Sequence, residues 1–484
     1  MIVLAQLPLR WNYVAPLNLA LLKAFLEQKG LETKVVDFSP DYNEKFVEII
    51  RKKKVEDEEL AECYLRASAI NSTILRYVVR KVALRRAWSK VVYPLYLVDK
   101  EEGAFDEVDN SIYEVYSEIA DNIMDCSPSL VGFSTDVFSI GHSLNVAKIL
   151  KEERKDLKII FGGPGTLYGW KFLLKYDFID HIIVGEGEHA LLKIADGLRD
   201  RVIFSNEFLI NLNNLPTPDY TDLDTGKYCF LGVETQRGCV NRCRFCNIRT
   251  FPCGEMYREK DIEKVLEEIR ELKSIKNRFF FCDNIVNPYP KRIKELCRGL
   301  AELEVEWEGM MFPRIDRETA FLIKKSGCRR VWLGVESFDT KDLKILGKNV
   351  TEREVIDSVK NLSEAGVDVD VQLLFLFPKT TFLGALRTIL RTFLLQKYIG
   401  EIDANYFYLA YNCDVHRNPE SYDVEIMEDE LSPIVNNVPF VMNNKLQNTL
   451  VVILTAMLKR YFSIKGKTLD KKIKAETRRF PLTS

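Results

Sequence analysis

The sequence predicts an α/β chain made of an amino-terminal doubly wound parallel sheet, a partial (β/α)6 barrel and a small helical carboxyl-terminal cap. Three observations carry this expectation. Short apolar strands alternate with helices along most of the chain. The segment Asn214-Leu215-Pro216-Thr217-Pro218-Asp219-Tyr220 splits that alternation in two, because two prolines so close together forbid regular structure. The second run has six strand-like segments, too few for the eight strands of a closed βα barrel.

The first run occupies residues 1–200. It opens with Ile2 to Ala5 as a strand, Leu17 to Gln28 as a helix ending at Gly30, and Thr33 to Asp37 as a second strand. The alternation resumes with Leu130 to Ser134, a helix from Ser143 to Glu153, Lys158 to Phe161, Ile182 to Val184 and a helix from Glu188 to Leu198. Strands this uniformly apolar are covered on both faces, and in such sheets ligands lie beyond the strand carboxyl ends. The loops there are Ser134-Thr135-Asp136, Gly162-Gly163-Pro164-Gly165 and Gly185-Glu186-Gly187-Glu188. Their glycines let backbone approach a ligand closely, although ordinary βα turns use glycine too. Residues 42–126 read as a polar helical insertion. There Arg76, Arg80, Lys81, Arg85, Arg86 and Lys90 interleave with apolar residues, the pattern of a solvated helix face or of a docking surface for an acidic partner.

The linker spans 201–227 and the barrel 228–411. Its strands are Phe230 to Thr235, Phe279 to Cys282, Val305 to Met311, Arg330 to Val335, Val367 to Leu376 and Ile402 to Leu409, and its open side could admit a substrate. Residues 412–484 form the cap. Its apolar run Leu450 to Leu458 is about half the 18 or more residues of a membrane span, so it reads as a buried helix.

Composition narrows the class. With 484 residues, 46% of them hydrophobic, the chain can bury more than one core. Its 69 basic and 71 acidic residues give a net charge of -2, so no global field points to an obligate nucleic-acid or lipid partner. Met1 to Leu7 lacks the charged region and cleavage site of a secretory leader, and no run is long enough to span a membrane. The eleven cysteines, an odd count scattered through a long chain, fit reduced thiols with metal ligands among them. A soluble, cytoplasmic protein is expected.

Gly238-Cys239-Val240-Asn241-Arg242-Cys243-Arg244-Phe245-Cys246 sets three cysteines at Cys-x3-Cys-x2-Cys just after the first barrel strand. Three thiolates can occupy three corners of an iron–sulfur cubane and leave the fourth iron open. A structural zinc site normally needs four protein ligands, and Cys253 is the nearby candidate for the fourth.

This spacing, with aromatic Phe245 before the last cysteine, resembles the signature of the radical S-adenosylmethionine (SAM) superfamily. The resemblance covers about residues 228 to 411. It implies a [4Fe–4S] cluster on Cys239, Cys243 and Cys246, with the open iron chelating the methionine part of SAM, and an external one-electron reductant. Phe245 is carried over as a SAM contact. Gly334-Val335-Glu336-Ser337 resembles the family's ribose-contacting segment, with Glu336 and Ser337 as hydroxyl partners or, on the plainer reading, as a helix cap. Leu374 to Thr381 lies where relatives carry a Gly-Phe-Pro-Gly-Glu-Thr-like turn, but both glycines are missing. Asp283 with Asn284, and Arg314 with Asp316, read either as site or as turn residues.

A doubly wound domain before such a barrel resembles the cobalamin-binding class of these enzymes. Phe161-Gly162-Gly163-Pro164 and Val184-Gly185-Glu186-Gly187-Glu188 resemble segments of that class, which implies cobalamin contacts from Ser134, Thr135, Gly162, Gly163, Pro164, Gly185, Glu186 and Gly187. The Asp-x-His-x-x-Gly motif that supplies a histidine to cobalt is absent, and His142 reads as a cap or core residue. Most members of the class are methyltransferases, which implies transfer of a methyl group to an unactivated carbon of a peptide or protein side chain, or of a small molecule. Alternatives are cyclisation or ring rearrangement without methyl transfer, methylthiotransferase-like chemistry on tRNA, or a non-catalytic iron–sulfur protein. Only Cys63 and Cys126 precede the linker, too few for the amino-terminal cluster of the tRNA enzymes, and the basic stretch Lys465 to Arg479 is short.

Overall fold

The computed structural model describes residues 1–8, 13–52, 107–250, 257–427, 438, 440–442, 448, 450–459 and 461–462. The first sheet is parallel throughout and runs β3 (Thr33–Asp37), β1 (Ile2–Gln6), β4 (Leu130–Ser134), β5 (Lys158–Gly162), β6 (His181–Val184), β7 (Val202–Phe204). Successive residues of each strand enter different cores, which is why these strands read as unbroken apolar runs. Val3, Ala5, Val131, Phe133, Ile159 and Phe161 face one way; Ile2, Leu4, Leu130 and Ile160 face the other. Strand order reverses between β1 and β4, and the carboxyl ends at such a switch point leave a crevice.

The segment read as an insertion divides. Helix α2 (Ser39–Lys52) and helix α3 (Glu107–Asp125) cover one face of the first sheet, with Phe46, Tyr116, Ile119 and Ile123 in its core. Residues 53–106, including the basic stretch Arg76 to Lys90, lie outside the described residues. Strand β7 lies where a linker is expected, because a three-residue strand leaves too short a period to detect.

The second sheet runs β15 (Ile402–Tyr406), β14 (Asp368–Phe375), β13 (Cys328–Glu336), β12 (Glu306–Met311), β11 (Arg278–Phe281), β8 (Phe230–Val233), β2 (Val14–Ala15). Six strands match those expected. The seventh, β2, comes from the first run and pairs in parallel with β8, Val14 opposite Phe230 and Ala15 opposite Leu231. Outward residues such as Phe279, Trp307, Val331 and Val371 are buried beneath the helices. The linker is tied to the first domain by Lys23, which contacts Asp219 at 3.2 Å and Asp222 at 3.0 Å. The cap holds an antiparallel pair, Val424–Ile426 with Phe440–Met442, beside its helix, so it is not purely helical. Residues 450–459 are helical, but only one face is buried. Among the described residues, no helix is long and apolar enough to cross a membrane.

His142 lies in helix α4 (Ile140–Glu153), 1% exposed, with Nδ1 2.8 Å from the Tyr116 hydroxyl and its ring 4.9 Å from that of Phe46. Burial pushes its pKa down to about 3. The unfolded chain protonates this imidazole below about pH 6.5 while the folded chain does not, so stability falls with pH by about 1.4 kcal/mol per unit between there and about pH 3. Denaturant titrations of wild type and His142→Leu at pH 7 and pH 5 should show the difference shifting in the variant's favour by about 2 kcal/mol. A difference independent of pH would mean that the folded protein accommodates the imidazolium.

Candidate active site

The cysteine loop leaves the barrel through β8 and the short strand β9 (Gln236–Arg237), and Gly238 at φ 84° turns it. The Arg244 amide donates to the Leu346 carbonyl at 2.9 Å, the Cys246 amide to the Cys243 carbonyl at 3.1 Å, and the Asn284 side chain to the Gly238 carbonyl at 3.0 Å. Cys239, Cys243 and Cys246 are each half-buried and interact electrostatically with one another. Among the described residues, no three His, Cys, Asp or Glu side chains converge on a point that one metal ion could fill. Tetrahedral zinc would hold its thiolates within about 4 Å of each other, whereas ligands to separate irons of a cubane stand wider. The donor set fits a three-thiolate cluster; Cys253 lies outside the described residues.

Asp283 and Asn284 act as supports of this loop. The Asp283 carboxylate accepts from the Thr235 amide at 2.8 Å, its hydroxyl at 2.7 Å and the Gln236 amide at 3.2 Å, and burial pushes its pKa up to about 7. Asp316 caps its helix by accepting from the Thr319 amide at 2.7 Å, and Arg314 pairs with Glu354 at 3.2 Å, so both have structural partners.

Glu336 and Ser337 part company. Glu336 adopts φ 64° at a register shift in β13, a conformation that costs a non-glycine residue about 1 kcal/mol. Its carboxylate lies 3.2 Å from Lys348 Nζ, and both groups act on the Cys243 thiol. Lys348, which sequence reasoning missed, also donates to the Gly334 carbonyl and lies over the Phe312 ring. Ser337 is buried, 2.9 Å from the Thr388 hydroxyl and accepting from the Asp339 amide at 3.0 Å, so its hydroxyl is committed within the fold. Phe245 lines a cavity of about 290 Å³ with Cys246, Leu374 and Phe407.

A larger cleft, about 830 Å³, opens at the carboxyl ends of the first sheet. Ser134, Gly162, Gly163, Pro164, Gly185, Glu186 and Gly187 line it, and so do Phe280, Cys282, Glu234 and Arg237 from the barrel. Thr135 does not. It is buried, its hydroxyl donating to the Gly162 carbonyl at 2.9 Å, so its part is to hold the loop. Gly163 sits at φ 88°, where a Cβ would come within 2.7 Å of the Thr135 carbonyl, so glycine is required for loop packing. A cleft of this size, lined by glycine-rich loops and by apolar side chains such as Leu17, Ile160, Leu191 and Phe280, fits a large macrocycle. None of the chain's four histidines lines it, so no imidazole is offered to a metal there.

The wall between the cleft and the cysteine loop is ionic. Arg237, two residues before Cys239, contacts Glu186 at 3.0 Å, Glu188 at 2.6 Å and Glu234 at 2.9 Å. Arg258 lies opposite Arg237 on strand β10 (Arg258–Glu259) and also pairs with Glu186. Glu186 is thus occupied by these two arginines.

Residues 233–384 match the model of the Radical SAM superfamily and residues 100–195 that of the B12 binding domain. An uncharacterized methyltransferase of Pyrococcus horikoshii is 26% identical over 55% of this chain and 64% of its own length. The hopanoid C-3 methylase of Methylococcus capsulatus is 26% identical over 51% of this chain and 53% of its own length. The chain therefore spans less than two thirds of either relative. The radical SAM methyltransferase TsrM of Kitasatospora setae, solved with cobalamin and a [4Fe–4S] cluster, shares the fold with a TM-score of 0.62 at 16% identity, covering 94% of this chain and 90% of that one.

Replacing Arg237 by Met takes the shared cation from three largely buried carboxylates, of which only Glu186 keeps a direct arginine partner, Arg258. Breaking a buried pair costs about 3–5 kcal/mol, so thermal unfolding of Arg237→Met should move down by roughly 10 °C, with Arg237→Lys recovering part of it. An unchanged melting temperature would remove this cluster from the stability of the wall.

Proposed function

We propose that this chain, which carries a radical SAM domain and a B12-binding domain, is a methyltransferase acting at an unactivated carbon. The observation that carries the reading is the shared cleft: the glycine-rich loops of the first sheet and the barrel residues Arg237, Phe280 and Cys282 line one cavity beside the cysteine loop. Cluster, SAM and cobalamin together supply a 5′-deoxyadenosyl radical to remove a hydrogen atom and a methyl group to replace it.

The protein's part is placement. Cys239, Cys243 and Cys246 hold three irons. Glu336, fixed by Lys348, presents a carboxylate toward the SAM hydroxyl or amino groups, and Phe245 walls the neighbouring apolar cavity for the adenine ring. Ser134, Gly162, Gly163, Pro164, Gly185 and Gly187 would give cobalamin a cradle, with Glu186 lining the same cleft while paired to Arg237 and Arg258, and Thr135 and Ser337 hold their own loops. In the barrel, Tyr13, Phe280 and Trp332 stack with centroids 5.2 to 6.3 Å apart, and the first two border the cleft. These rings suit an apolar carbon framework, whether in a peptide or protein side chain or in a small molecule. A reducing, cytoplasmic setting with an external electron donor suits the thiols.

Anaerobic reconstitution with iron, sulfide and hydroxocobalamin tests the cofactors. Four irons and one cobalt per chain are expected. Cys239→Ala/Cys243→Ala/Cys246→Ala should lose the iron and all 5′-deoxyadenosine production while keeping cobalt. With substrate, two SAM should be consumed per methylated product. One SAM per product without added methyl would assign ring chemistry instead, and four irons without cobalt would leave the first domain with another role.

A further inference from the structure

Helix α4 is entered through a motif frame with one substituted position. Asp136-Val137-Phe138-Ser139-Ile140-Gly141 has the spacing of the Asp-x-His-x-x-Gly motif, with Phe138 in place of the histidine that ligates cobalt. The loop falls within the residues that match the B12 binding domain, and Asp136 and Phe138 line the larger cleft. Phe138 is 41% exposed, and among the described residues it is the one large apolar side chain of the cleft lining that exposes so much of itself. A ring left bare at the wall of a cleft is surface that a bound ligand covers.

The loop is tied so that this ring stays out. Asp136 Oδ1 accepts from the Phe138 amide at 2.9 Å, the Ser139 amide at 2.9 Å and the Ser139 hydroxyl at 3.0 Å, and the Asp136 amide donates back to Ser139 Oγ at 3.1 Å. Beside a metal-ligating histidine a carboxylate commonly holds the second ring nitrogen; this carboxylate is spent on its own turn. The polar side chains at this end of the cleft are also engaged, Asn18 donating to Ser134 Oγ at 2.6 Å and Gln6 to Asp37 at 3.3 Å. Tyr13 donates to Glu308 at 2.6 Å, and Cys282 meets the cleft from the barrel. The first domain therefore offers a phenyl ring at the place where its motif would offer a nitrogen.

We infer that Phe138 packs against the face of the corrin turned toward the first domain and fills the position of a lower ligand, so that neither the protein nor the cofactor's own nucleotide base coordinates cobalt on that side. The inference rests on cobalamin occupying the cleft, as proposed above, and not on the reaction that follows. A ring stacked on the macrocycle contributes by contact area and by keeping water from the metal.

Electron paramagnetic resonance of the full chain loaded with hydroxocobalamin and reduced to the Co(II) state tests it, with cobalt per chain counted first. The wild type should show cobalt lines without nitrogen superhyperfine splitting. Phe138→His, which completes the motif, should bring that splitting in at a similar cobalt content. Phe138→Ala should bind hydroxocobalamin roughly tenfold more weakly with unchanged melting, since the side chain is exposed in the free protein. Nitrogen splitting in the wild type overturns the inference, as does its absence from folded, cobalt-loaded Phe138→His, or an unchanged affinity in Phe138→Ala. A wild type that takes up no cobalt sinks the cleft assignment and the inference with it, a result distinct from a cobalt-loaded protein with the wrong spectrum.

Discussion

Everything at the candidate active site depends on Arg237 having enough negative charge around it. Its guanidinium lies opposite a second arginine, Arg258, across a two-residue ladder, an arrangement that repels unless carboxylates intervene. Glu186 and Glu188 come from the glycine-rich loop of the first sheet and Glu234 from the end of β8. Removing these charges from water is costly, and only their mutual geometry offsets it. The glycine-rich loop proposed for cobalamin and the cysteine loop proposed for the cluster are thereby held by the same guanidinium. A single residue, Gly238, separates Arg237 from Cys239 in the chain.

The same wall explains the division of labour among the motif residues. The side chains with strong hydrogen-bonding power, Thr135, Glu186, Ser337 and Asp283, are spent within the protein. The cavities are otherwise lined by glycine-rich backbone, by leucine, isoleucine and aromatic side chains and by the thiols of Cys246 and Cys282, with Glu234 and Arg237 in the ionic wall. Such a lining suits the large cofactors proposed for it, which would be held by shape.

Much of this was legible beforehand, for identifiable reasons. Strands of the first sheet, buried on both faces, announce themselves as apolar runs, and the three-cysteine spacing is a local chemical pattern that needs no tertiary contact to be seen. The lengths of β2 and β7 hid them: two or three residues carry no period. Lys348 and Arg237 are not legible in the sequence because Glu336, Glu186 and Glu188 lie 12 or more residues away and a lone basic residue looks like solvent-facing charge. Ser337 and Thr135 read as ligand contacts in the sequence because a motif marks a position on the chain but not the direction a side chain takes. The Leu450 to Leu458 run was read as buried because apolarity all round a helix admits more than one environment, and the structure leaves half of it uncovered.

Strand β2 has a consequence for how the molecule comes into being. Val14 and Ala15 sit between Gln6, the last residue of β1, and Leu17, the first residue of the helix that leads to β3, yet their pairing partners are Phe230 and Leu231. A ribosome must therefore deliver more than two hundred further residues before the amino-terminal segment can close its ladder. Until then those two residues wait as an unpaired edge, and joining them late incurs the loop-closure entropy of a long-range parallel contact. The two lobes are stitched by residues from the start of the chain, so a contact of long sequence separation helps to set the geometry of the cleft they share.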